Sequence, residues 1–304
     1  MPPPVRASET GKGPMHQYRS VFISDVHLGS PDCQAEYLLD FLNNVQCETL
    51  YLVGDIIDLI AMQKRVHFPR SHQAVIRCLV RLAAEGTRVI YVPGNHDEFL
   101  RNFCGQTLAG ISLQQKAVHT TADGRRFVVC HGDQFDQVMR CSPLMLLVGD
   151  RAHGLLLRLN RWFNVWRRMR NKPYWSLAAW MKSRIGKAKD FIQRFETAAL
   201  MAAERGQYDG FICGHIHSAG FRQGSSGLYC NDGDWVEHCT ALTESFDGSL
   251  EILHWSERPH VVECEPARTP ARQPTQASGG IASLARTVPQ AGTNRSSSQP
   301  ASRV

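Results

Sequence analysis

Short apolar runs recur along the chain, and each breaks off into a cluster of polar residues. Residues 18–30, "YRSVFISDVHLGS", read as a strand running into a polar loop, and residues 48–58, "ETLYLVGDIID", repeat the pattern. It returns in "RVIYVPGNHD" (88–97), "RRFVVCHGDQFD" (125–136) and "YDGFICGHIHSAG" (208–220). Between these runs, "AEYLLDFLNNV" (35–45) has helical period, and "SHQAVIRCLVRLAAEG" (71–86) is an amphipathic helix closing on a glycine C-cap. Strands alternating with helices predict an α/β or α+β layered sheet, with no internal repeat of fixed period.

Each strand-like run ends in side chains able to bind metal. These are Asp25 and His27, Asp55, Asn95 and His96, His131, and His215 and His217. Each piece has an ordinary reading taken alone. Asp55 suits a helix N-cap, "GNHD" a polar turn, and His131 a hydrogen-bonded core histidine. Asp25 and His27 alternate along extended chain, so both can point one way. His215 and His217 share a face after an apolar run and are flanked by glycines. In layered sheets, loops from separate segments converge at the carboxyl ends of strands, so five such ends point to one composite site. Imidazole, carboxylate and amide oxygen without thiolate suit two divalent metals, manganese first, with magnesium, iron or zinc as alternatives. Two such ions form the clamp used for in-line phosphoryl displacement, and water between them becomes a nucleophile near neutral pH.

Composition narrows the setting. The 304 residues are 43% apolar and 20% charged, which excludes a disordered or fibrous chain. The ten cysteines are scattered without a CxxC pair, and the start "MPPPVRASETGKGPMHQ" lacks the apolar core of a secretory leader. The expectation is a cytoplasmic protein with reduced thiols. No apolar stretch approaches the roughly 18–20 residues that span a bilayer. Residues 1–17 and 265–304 have the composition of disordered segments, the tail being rich in Pro, Ser, Gly, Gln and Thr.

The net charge of +6 is unevenly spread. From Arg151 to Lys189 there is no Asp or Glu, and four of the six tryptophans fall in that stretch. Its Arg167, Arg168, Trp175 and Lys182 are candidate contacts for substrate phosphates or anionic lipid head groups. The competing reading is a helical cap whose tryptophans pack on the sheet. Basic residues with aromatics also bind single-stranded nucleic acid, but no recognised nucleic-acid module is present.

The ordered set DxH (Asp25, His27), GD (Asp55), GNHD (Gly94–Asp97), H (His131) and GHxH (Gly214–His217) resembles the calcineurin-like metallophosphoesterases over about residues 19–256. The resemblance implies a four-layer sandwich of two mixed β-sheets flanked by helices. It also implies that Asp25, His27 and His217 hold one metal, Asn95, His131 and His215 the other, that Asp55 bridges, and that His96 faces the scissile phosphate. "FISDVHLGS", "LVGDIIDL" and "YCNDGDWVEHCTAL" look most like the UDP-2,3-diacylglucosamine diphosphatase group, which cleaves a nucleotide-linked lipid pyrophosphate in lipid A biosynthesis. That group carries a helical insertion covering the site. Here this implies one domain over 18–264 with an insertion over about 137–206, and a place on the inner membrane face. One position departs: that group has arginine after the metal-binding asparagine, and this chain has His96, as generic calcineurin-like phosphoesterases do. Two alternatives therefore stand beside the lipid pyrophosphate: another phosphodiester, phosphomonoester or nucleic-acid substrate, and a scaffold without catalysis.

Overall fold

The computed structural model describes residues 16–136, 186–225 and 227–268, and residues 159, 160, 162–167, 169, 170, 172 and 175 between them. Strand β1 (His16–Ile23) is followed by α1 (Ala35–Asn44), β2 (Val45–Leu52), α2 (Leu59–Lys64), α3 (Arg70–Ala84) and β3 (Arg88–Tyr91). A 3₁₀ helix at Glu98–Phe103 precedes β4 (Thr107–Leu108), β5 (Ile111–Leu113), β6 (Ala117–Thr120) and β7 (Arg126–Val129). A second 3₁₀ turn covers Asp133–Phe135. Then come α4 (Gly186–Arg205), β8 (Gly210–Cys213), β9 (Gly220–Gln223), β10 (Leu228–Asn231), β11 (Thr240–Glu244), β12 (Leu250–His254) and β13 (His260–Glu265). β1 begins at His16 and β13 ends at Glu265, inside the segments expected to be disordered.

The strands form two mixed sheets. One has eight strands in the order β13-β12-β11-β1-β2-β3-β5-β4, and the other five in the order β6-β7-β8-β10-β9. β1, β2, β3 and β5 run parallel, as do β7, β8 and β10, so both groups present their carboxyl ends together. Parallel strands are covered on both faces, which explains their near-continuous apolar sequence. Along β1, Val21 and Ile23 face the core shared with α1 and α3, while Phe22 faces the core between the sheets. Leu50 and Leu52 of β2 repeat the first side and Tyr51 the second. α4 buries Phe195, Ala199 and Ala203 on the five-stranded sheet. Helices, eight strands, five strands and helix make the four layers expected.

The glycine C-cap of α3 is as the sequence predicts. Gly86 has φ +103°, the N–H of Thr87 reaches the carbonyl of Leu82, and that of Gly86 reaches Ala83. Among the described residues, no helix is long and apolar enough to cross a membrane.

Candidate metal centre

The five strand ends do converge, but not by extended alternation. Asp25, His27, Asp55, His215 and His217 all have left-handed backbone, with φ of 50, 53, 53, 69 and 50°. Among the described residues only three other non-glycine positions, Ala109, Gln207 and Cys239, share that region. Asp and His tolerate it better than most residues, yet such conformations still cost on the order of 1–3 kcal/mol each and persist where surroundings over-determine them. Here the loops after β1 and β2 bind each other: Asp25 N–H donates to Gly54 O, His27 N–H to Asp55 O and Leu28 N–H to Ile56 O, at 3.1, 2.9 and 2.9 Å. The Asp25 carbonyl accepts from Trp235 N–H at 3.1 Å. The shared facing of Asp25 and His27 thus comes from turns rather than strand pleat.

Three overlapping groups place their ligand atoms within 4.8 Å of one another: Asp25, His27 and His217; Asp55, His131 and His215; and His27, Asp55 and His96. Asp55 Oδ2 lies 3.3 Å from His131 Nε2 and 3.9 Å from His27 Nε2, so one carboxylate reaches both sides. Asp25 Oδ1 lies 3.1 Å from His217 Nε2. His131, His27 and His215 each have one ring nitrogen engaged, which aims the other. His131 Nδ1–H donates to Val53 O at 2.9 Å, which leaves Nε2 as the lone-pair nitrogen, and His27 Nδ1 lies 3.2 Å from Asp58 Oδ2. His215 Nε2 is 2.8 Å from Asp136 Oδ1.

The fit to a divalent cation is tested by what these atoms lack. Asp25 Oδ1, Asn95 Oδ1, His131 Nε2 and His217 Nδ1 are buried without a hydrogen-bond partner. A buried polar atom left unpaired costs about 1–3 kcal/mol, and four such atoms on candidate ligands fit a site for cations. The electrostatics agree. Burial opposes charge on His27, but Asp58, Asp55 and Asp25 outweigh it and raise its pKa to about 9. His131 is likewise raised despite burial, chiefly by Asp55. Burial also pushes the Asp55 carboxyl up, and His131, His27 and His96 overcome this to hold it well below the usual range. The site draws in positive charge.

Two glycines of the motifs are there for space. A Cβ on Gly94 would lie 2.3 Å from Asp55 Oδ1, and one on Gly214 2.0 Å from Ser24 Oγ. "GNHD" and "GHIH" therefore need glycine because neighbouring ligand loops press against their backbone.

The profile of the calcineurin-like phosphoesterases matches residues 18–219. The chain belongs to that family. This phosphoesterase is 24% identical over 261 residues to a UDP-2,3-diacylglucosamine hydrolase of Porphyromonas gingivalis, across 76% of this chain and 95% of that protein. It is 33% identical over 134 residues to the protein of that name from Ralstonia nicotianae, across 43% of this chain and 46% of that one. Among solved structures, Yfce, a phosphoesterase from E. coli, aligns over 82% of this chain and 99% of its own, with 13% identity and a TM-score of 0.44.

Several residues of the phosphoesterase that shape the site were given no role by the motifs. Asp58, the last residue of "GDIID", puts Oδ1 2.9 Å from His96 Nδ1 while also accepting from Ala61 N–H as the N-cap of α2. Asp97 is buried and accepts from Gly94 N–H at 2.6 Å, Ile56 N–H at 2.9 Å and the Tyr91 hydroxyl at 2.5 Å. In "NDGDW", Asn231 Nδ2–H donates to Gly214 O at 2.7 Å, Ser24 Oγ lies 2.6 Å from Asp232 Oδ1, and Asp234 Oδ1 lies 4.0 Å from His217 Nδ1. For Asp58 the available signal was an acidic residue three places beyond Asp55, and Asp97 lay inside "GNHD" itself.

A cleft of about 760 Å³ opens beside Asn95 and His96, walled by Leu59, Ile60, Met62, Val66 and Phe99. Of the candidate substrate contacts, Arg167 and Trp175 pack on each other, with the guanidinium 5.9 Å from the ring centre, and neither is among the described residues lining this cleft. Arg168 and Lys182 lie outside the described residues.

Proposed function

We propose that this phosphoesterase is a two-metal pyrophosphohydrolase acting on a UDP-2,3-diacylglucosamine-type lipid-linked nucleotide. Asp25, His27 and His217 would hold one ion, Asn95, His131 and His215 the other, and Asp55 would bridge. The observation that carries the metal assignment is the set of buried, unpartnered polar atoms on Asp25, Asn95, His131 and His217. Divalent ions bound there, manganese first, would activate water at neutral pH and offset charge on the phosphoryl oxygens. His96 has Nδ1 engaged by Asp58, which leaves Nε2 to pass a proton to the leaving oxygen.

The lipid part of the reading is supported by the apolar walls of the cleft at His96 and by the names of the relatives. Contact with an anionic membrane face belongs to the same proposal. Within residues 159–170, Trp162, Val165 and Met169 are exposed, and Arg170 stacks 4.1 Å from the Trp166 ring. A different phosphodiester, phosphomonoester or nucleic-acid substrate is the second reading, favoured by histidine rather than arginine after Asn95. A scaffold without catalysis is disfavoured because every ligand position holds a competent side chain.

The deciding assay is UMP release from UDP-2,3-diacylglucosamine by the manganese-loaded chain. Protein that hydrolyses bis(p-nitrophenyl) phosphate but releases no UMP belongs to the second reading.

A further inference from the structure

We infer that Arg101 is a specificity residue that binds a second phosphoryl group of the substrate, the one not seated at Asp55. The inference rests on the pyrophosphate reading above. Arg101 lies on the 3₁₀ helix Glu98–Phe103, which forms one wall of the cleft, and lines it together with Asn95 and His96. It is the single Lys or Arg among the described residues of that lining; the others are apolar, amide, His96 or Glu98.

Its position is tied to the ligand loops themselves. Nη2–H donates to Asp133 Oδ2 at 2.7 Å and reaches Pro93 O at 3.4 Å. Pro93 stands two residues before Asn95, and Asp133 two residues after His131. Nη1 has only a loose pairing, 3.5 Å from Glu98, whose side chain is 70% exposed. The Nε–H and an Nη1–H, on opposite sides of the guanidinium, are therefore each left to donate singly to phosphate oxygens. A substrate with one phosphoryl group places all its anionic charge at Asp55. A pyrophosphate carries a further anion into the cleft, where Arg101 is the single Lys or Arg among the described lining residues. Asp133 reduces the net charge of the pair but engages only Nη2, so the other N–H groups remain for the substrate.

The competing role is a plain brace holding the 3₁₀ helix to the His131 loop, and the two roles separate kinetically. With manganese-loaded full chain, KM and kcat are measured for UDP-2,3-diacylglucosamine and for bis(p-nitrophenyl) phosphate. Arg101→Gln is expected to raise KM for the pyrophosphate about tenfold more than KM for the simple diester, as loss of a charge-assisted hydrogen bond requires. Arg101→Lys should recover part of that preference. Asp133→Asn, which loosens the brace and keeps the guanidinium, should retain it. Equal losses on both substrates in Arg101→Gln, or loss of the preference in Asp133→Asn, would overturn the assignment and leave Arg101 a brace. A wild-type chain that cleaves the diester but not the pyrophosphate would overturn the pyrophosphate reading, and this inference with it. Should Arg101→Gln fail to fold, the Lys variant and Asp133→Asn still decide between the roles.

Discussion

Asp58 holds His96 through a 2.9 Å contact between Oδ1 and the imidazole Nδ1, and its other oxygen lies 3.2 Å from Nδ1 of His27. One carboxylate thus orients the proposed proton donor and a proposed metal ligand together. Asp58→Asn should lower kcat/KM on bis(p-nitrophenyl) phosphate about 10- to 100-fold and weaken manganese binding. Asparagine caps helices as well as aspartate does, so α2 should persist in circular dichroism. Wild-type kinetics in this variant would remove Asp58 from the mechanism.

Asp55 touches both halves of the site, so its removal should disconnect them. Manganese should raise the thermal midpoint of the wild type, with about 2.7 kcal/mol of stabilisation at a hundredfold excess over Kd, and a chelator should reverse it. Asp55→Ala should abolish most of that shift along with diester hydrolysis. A variant that still gains the full manganese shift would show the ions bind elsewhere.

Gly94→Ala tests the close approach without deleting any ligand. The added methyl would meet Asp55 Oδ1 at 2.3 Å and His131 Cδ2 at 2.7 Å. Metal content by mass spectrometry should fall to one ion or fewer per chain, and activity with it. An alanine variant that retains full metal content would mean the loops have room that the geometry denies.

Asp97 closes the turn that carries Asn95 and His96. Asp97→Ala strands Gly94 N–H, Ile56 N–H and the Tyr91 hydroxyl in the interior, a loss of about 3 kcal/mol. Tyr91→Phe removes one donor and leaves the amides satisfied, so it should cost about 1 kcal/mol. Urea unfolding of the two variants gives the comparison, and equal losses would contradict it.

His72 provides a pH test at a histidine outside the proposed ligand set. Its Nδ1 accepts Gly29 N–H at 3.0 Å, and burial, aided by His67, lowers its pKa from 6.5 to about 4. Between those values the unfolded chain binds the proton and the folded chain does not. Stability is therefore whole above pH 6.5 and is lost as pH falls toward 4. His254 shifts in the same direction, so His72→Gln should flatten that slope only in part. An unchanged slope in urea midpoints across this range would rule out His72 as a contributor.

The sequence by itself determined the layered α/β class, the strands and helices around the site, and the residues that meet there. Apolar runs and helical period are local signals, and a ligand set dispersed over five strand ends is specific because its residue types and order are jointly improbable. Tertiary structure decided the rest. The facing of Asp25 with His27, and of His215 with His217, comes from left-handed turns, whereas alternation had suggested an extended pleat for the first pair. The roles of Asp58, Asp97 and Asp234 follow only from partners that other segments place against them. The cleft is built by α2 and the 3₁₀ helix, not by the described part of the basic tryptophan-rich stretch. Pairings across such distances have no period along the chain, because they arise only when separate strands are stacked and their loops compete for one small volume.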